Sequence, residues 1–133
     1  MLRQSHKELI RKLDLSYPAV AVKLRFEQPD VPHYSGEKLA FCQYVKVVQE
    51  TGKHFYIGES DDACYGRMAL GMIDKPPVTA SGQAGYDFGC YKSPVGCQQL
   101  YQKLPIVEPH TVNFVEFCPA LDCDFDPDLL FFV

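Results

Sequence analysis

The sequence predicts an α/β or α+β fold: a single domain over residues 1–133, with a small mixed sheet of about four strands covered by three to four helices. Three observations carry this. Residues 19–26 alternate with period two; stretches near positions 2–14, 35–50 and 93–104 repeat with helical period; and clusters of proline and glycine separate these runs. A chain of 133 residues, 47% of them apolar, can bury one core and is too short for two.

Leu2, Leu9, Ile10 and Leu13 recur at helical spacing among charged residues, which predicts an amphipathic helix over residues 2–14 with His6 on its apolar side. In YPAVAVKLRF, Val20, Val22, Leu24 and Phe26 face one way and Ala19, Ala21, Lys23 and Arg25 the other, with Pro18 at the start, so this run reads as a strand. Ser35 is the expected N-cap of a helix reaching Glu50, with Phe41, Tyr44, Val45 and Val48 as its buried stripe and Gly52 as its stop. KHFYIG is β-prone and reads as a second strand.

ESDDACYGRMALGM reads as a helix of one to three turns, capped by Ser60 or Asp62 and ending near Gly71. Residues 74–92 have loop composition, and a loop of that length in a compact domain is often functional. Ser93 and Pro94 then open a helix on which Cys97, Leu100, Tyr101 and Leu104 share a face, stopped by Pro105. TVNFVEF and DLLFFV supply the third and fourth strands. The last is apolar on both faces, as in a partly parallel sheet, so cover is expected from a partner subunit or from chain beyond Val133.

The net charge is −4 with no basic cluster, which argues against nucleic acid and anionic membrane as partners. No run approaches the ~20 apolar residues of a membrane span, and the charged N-terminus does not resemble a signal peptide, so a soluble cytoplasmic protein is expected. Thiols in that compartment stay reduced, and the six cysteines read as buried, metal-bound or reactive rather than as three disulfides.

YPAVAVKL, FCQYVKVVQETGKHFYIGESDDACYGRMALGM and DPDLLFFV, in this order, resemble the uncharacterised prokaryotic proteins of the domain of unknown function 169 family. The resemblance covers most of the chain and picks out Pro18, Cys42, Cys64 and Gly71; it implies no reaction. Members of that family continue past the last strand, so this chain reads as a short member lacking a C-terminal portion.

Among the cysteines, Cys64 is expected in the first turn of a helix with Arg67 one turn further on, an arrangement that favours thiolate, while Asp61 and Asp62 oppose it. Cys42 lies at the edge of its helix's apolar stripe, about 100° from Phe41, where it can point into a neighbouring cleft. Cys90 sits on the glycine-rich loop. Cys97 heads an apolar stripe and reads as core; Cys118 and Cys123 flank a turn at a spacing that fits no short zinc or ferredoxin pattern. The absence of Cys-x-x-Cys argues against a thioredoxin-like couple.

If a metal binds, Cys42, Cys64 and Cys90 are the expected ligands, and thiolates select zinc, copper(I) or an iron–sulfur cluster. Arg67, Tyr65 and Tyr91 are candidate ligand-binding residues around the middle loop, although the tyrosines can equally be packing. His6, His33, His54 and His110 show no metal-site spacing and read as surface or strand-end residues. The leading expectation is a cysteine-centred binding protein for a metal, an iron–sulfur cluster or a redox-sensitive ligand. Its alternative is a non-catalytic small-molecule-binding or homo-oligomeric assembly domain, a dimer through the last strand, with structural cysteines. An enzyme using Cys64 as nucleophile ranks third.

Overall fold

A computed structural model describes residues 2–132. Its elements run α1 (Gln4–Lys12), β1 (Val20–Arg25), α2 (Phe41–Thr51), β2 (Phe55–Gly58), α3 (Gly66–Ala69), α4 (Pro77–Ala80), α5 (Gln83–Asp87), α6 (Pro94–Lys103), β3 (Phe114–Pro119) and β4 (Leu129–Phe131), with a 3₁₀ turn at Glu59–Asp61. The strands form one sheet in the order β2-β3-β1-β4. The expected small domain of helices around a four-stranded sheet, read from sequence as α/β or α+β, is therefore present.

Pairing within the sheet is antiparallel throughout, not mixed. β1 and β2 do run in the same direction, as a strand–helix–strand passage through α2 requires, but β3 inserts between them and opposes both. Parallel pairing occurs at two isolated bridges, His33 with Tyr56 on the outer edge of β2 and Leu39 with Asp62 beyond its end. Those bridges also explain why α2 starts at Phe41 and not at Ser35: the backbone ahead of it is engaged elsewhere, through Tyr34 N–H to Tyr56 O, Tyr56 N–H to Pro32 O and Ala63 N–H to Leu39 O. Gln43 accepts from the Ala40 N–H at 2.9 Å, and Gly52, in the left-handed region, ends the helix as expected.

Alternation divides the sheet into two faces. Val20 and Val22 of β1, Phe55 and Ile57 of β2, and Val115 and Phe117 of β3 pack under Tyr44, Val45 and Val48 of α2. Phe117 is the hub, with ring centroids 5.2, 5.4 and 5.8 Å from Phe41, Phe55 and Tyr44. The opposite face carries Ala19, Ala21, Cys118 and Ala120, small enough for Leu2 and Ile10 at the α1 end to lie close above them. Leu9 and Leu13 of the predicted stripe are exposed.

Residues 74–92 are not a bare loop but hold α4 and α5. Helices of four or five residues are too short to stand on propensity, and these two are held by packing against α6. Gly85 permits that packing, because a Cβ there would strike the Cys97 sulfur and crowd the Tyr91 ring. With these short pieces, six α-helices are described where three to four were expected. Ser93 caps α6 as predicted, its hydroxyl accepting from Gly96 N–H at 3.2 Å, and Cys97 is fully buried. β4 is an edge strand, apolar on both sides but incompletely covered: Leu130 packs on the α1 face, Phe131 on the α2 face, and Leu129 is exposed. No helix among the described residues is long and apolar enough to cross a membrane.

Candidate functional site

One flank of α2 carries two rows spaced four residues apart, Phe41–Val45–Gln49 at the edge of the core and Cys42–Lys46–Glu50 exposed beside it. Together with Phe131 of β4 and Tyr17 ahead of β1, they line a groove of about 440 Å³. Its floor is apolar, with the Phe41 and Phe131 centroids 5.7 Å apart. Polarity is confined to the rim: Lys46 pairs with Glu50 at 3.5 Å, and the Gln49 amide donates to Pro18 O at 3.4 Å, tying the helix to the start of β1. Cys42, a free and exposed thiol, stands in the wall, one of the two placements that its helical phase allowed, the other being core packing.

The other predicted thiols lie elsewhere. Cys64 is exposed and precedes α3 instead of occupying its first turn, because the buried Asp62 carboxylate takes both the Cys64 N–H at 3.1 Å and the Arg67 N–H at 2.7 Å. The helix-terminus argument for a Cys64 thiolate therefore fails, and a carboxylate occupies that place. Cys90 is exposed in the turn after α5. Among the described residues no three His, Cys, Asp or Glu side chains form a group able to hold a metal, so Cys42, Cys64 and Cys90 are not gathered into one ligand set.

Arg67 is half-buried and its guanidinium makes no ion pair among the described residues. The Tyr101 phenol is pushed up by burial first and then by the Cys97 thiol, with smaller influences from Tyr91 and Tyr65. Tyr65 and Tyr91 line none of the described concavities. Cys118 and Cys123 are buried beneath α1. Burial, and then the neighbouring Cys123 thiol, push Cys118 up to about 12, which leaves it an inert thiol at neutral pH.

Sequence reading missed a polar network on the α1 face. Glu116 is 2% exposed, yet its carboxylate accepts from Arg25 Nε at 2.7 Å and bonds His54 Nε2 at 2.6 Å. The Arg25 guanidinium also lies 5.5 Å over the Phe125 ring. The available signal was a lone carboxylate inside the core strand FVEFCP, on the same face as Lys23 and Arg25. Its partner His54 was not legible, because nothing local joins residues 62 positions apart.

The sequence pattern of the DUF169 family, described as uncharacterised ArCR, matches residues 8–133. An uncharacterized protein of Methanocaldococcus jannaschii is 26% identical over 137 residues, which cover 99% of this chain and 58% of that protein. No solved structure matches. The family pattern runs from α1 through the whole sheet, and this chain belongs to the DUF169 family.

Proposed function

We propose that the protein is a binding module for a small, mainly apolar molecule with a polar end, seated in the groove between α2 and β4. The observation that carries this reading is the groove itself: its volume of about 440 Å³ falls in the range of small-molecule sites, with apolar walls and a few polar groups at the rim. The cysteine-centred reading narrows to Cys42, the exposed thiol in that wall. Cys64 and Cys90 are equally exposed but do not line the groove, and they serve as internal controls. Iodoacetamide labelling, followed by mass spectrometry with and without an apolar fluorophore such as anilinonaphthalene sulfonate, tests it. The bound probe should slow labelling of Cys42 and leave Cys64 and Cys90 unchanged; equal rates at all three would remove the groove from consideration. A zinc ion or iron–sulfur cluster would have to draw thiols from more than one copy of the chain, so stoichiometric iron or zinc in anaerobically purified protein should appear only with an oligomer.

A second reading, assembly as a homodimer, is favoured by one observation: among the described residues β4 pairs on its β1 side alone, whereas the segment at His33 bridges the outer edge of β2. An antiparallel pair of β4 strands across a two-fold axis would extend the sheet. Light scattering after size exclusion should then report twice the chain mass, reverting to one on Leu129→Pro; a monomer throughout leaves the small-molecule reading alone.

A further inference from the structure

The opposite flank of α2 borders a second, larger cleft of about 590 Å³, closed on its other side by the loop 32–36 and by the residues leading into β2. Its ionisable lining consists of Lys53, His33, His54 and Tyr34, with no carboxylate among the residues that line it. Lys53 makes no ion pair among the described residues.

Both imidazoles are fixed in the same way from behind. His33 Nε2 meets Asp61 Oδ2 at 2.7 Å, and that oxygen also accepts from Gly58 N–H at 2.7 Å. His54 Nε2 meets Glu116 Oε1 at 2.6 Å, while Glu116 Oε2 is held by Arg25. Each ring thus has one nitrogen anchored to an immobilised carboxylate, which orients it and leaves Nδ1 as the nitrogen available to a ligand. The rings are also braced by aromatic neighbours, His33 stacked 5.0 Å from Tyr56 and His54 6.0 Å from Phe125. Each ring donates its Nε2–H to its carboxylate, so toward the cleft the two imidazoles become N–H donors as imidazolium, beside the standing donor of the unpaired Lys53 ammonium.

The geometry points to this cleft as a binding site for the oxyanion of a small molecule, a carboxylate or a tetrahedral phosphate or sulfate group, with Lys53 supplying fixed charge and His33 and His54 supplying oriented N–H donors in their protonated form. The charged groups facing the rings are Asp61 and Glu116 behind them, Arg25 on Glu116, and Lys53, with the phenols of Tyr34 and Tyr56 alongside. These charges balance when both rings are neutral, and protonation of both leaves two positive charges in excess, so the bound anion should favour low pH. The site is distinct from the α2–β4 groove and does not depend on that reading.

Ring-proton NMR of the whole chain titrated with sulfate, whose charge is constant over the range used, tests it. Expected are saturable shifts at His33 and His54, binding that tightens as pH is lowered, and affinity lowered about threefold or more by Lys53→Met, as loss of one partly exposed charge contact gives. His110 is the control: it has the same kind of dyad, Nε2 to Asp74 Oδ2 at 2.8 Å, outside the cleft. Acetate titrated in a second sample assigns the ligand class, carboxylate if it binds at the same two rings and tetrahedral oxyanion if sulfate alone does. Shifts that never saturate, that move His6 and His110 equally, or that survive Lys53→Met undiminished would overturn the site.

Discussion

The two faces of the sheet are built from alternate residues of the same strands and are unlike in every other respect. Under α2, Val20, Val22, Val115 and Phe117 meet three aromatic rings and leave a dry, bulky core. On the α1 side, the neighbouring positions are Ala19, Ala21, Glu116 and Cys118, so the packing is thin and a carboxylate is buried among donors. The first face is specified by volume. The second is specified by smallness at one end, where α1 lies close, and by charge at the other, where α1 no longer reaches and the Arg25–Glu116–His54 network takes over. Chemistry thus collects where apolar cover runs out, and His54 carries it around to the cleft on the far side of α2.

Removing the hub of the first face should have the largest effect. Phe117→Ala is expected to cost about 3–5 kcal/mol in urea denaturation, as large aromatic truncations in cores do; a loss under about 1 kcal/mol would mean that the aromatic cluster is not the stabilising core. On the second face Glu116→Gln keeps the shape but weakens two charge-assisted bonds, and should cost about 1–3 kcal/mol. Adding His54→Gln should then cost less than it does alone, since the pair acts as one network.

Alkaline titration separates the thiol of the second face from the rest. The Cys118 thiol is held neutral in the folded protein, rising from an ordinary 9.0 to about 12, chiefly by burial. A folded-state value above the unfolded one means that this contribution is intact below about pH 9 and is lost as pH climbs from there toward about pH 12. Cys118→Ala should flatten the fall in stability across that window, and an unchanged slope would assign the fall to buried phenols such as Tyr44, also pushed up by burial. Under native conditions Cys42, Cys64 and Cys90 should alkylate, whereas Cys97, Cys118 and Cys123 should react at the rate of unfolding. The smallest effect is expected away from both faces: Thr79 is fully buried with its hydroxyl unpaired, so Thr79→Val should leave the denaturation midpoint unchanged or raise it slightly.

Much of this architecture is legible residue by residue. The alternation in VAVKLR, the stripe Tyr44–Val45–Val48 with Gly52 behind it, and Ser93 with Pro94 at a helix start all behave as read, because each depends on neighbours within one turn or one strand pair. Misreadings fall where distant segments compete for the same backbone. Residues 35–40 were expected in a helix but lie outside α2, Leu39 bridging Asp62, and Cys64, expected in the first turn of the next helix, precedes it. The candidate site was half visible: helical phase turned Cys42 toward a cleft, but nothing in the order of residues revealed that Phe131 would form the other wall.

Local periodicity, caps and breakers were enough to establish a domain of helices and about four strands, because side-chain direction in a helix or strand follows from backbone geometry alone. Composition was enough to establish that the chain would fold around one core. The insertion of β3 between β1 and β2, the open edge at β4 and the meeting of His54 with Glu116 across 62 positions were settled by strand pairing. Pairing is chosen by the whole core at once, through contacts whose energies no short window of sequence contains.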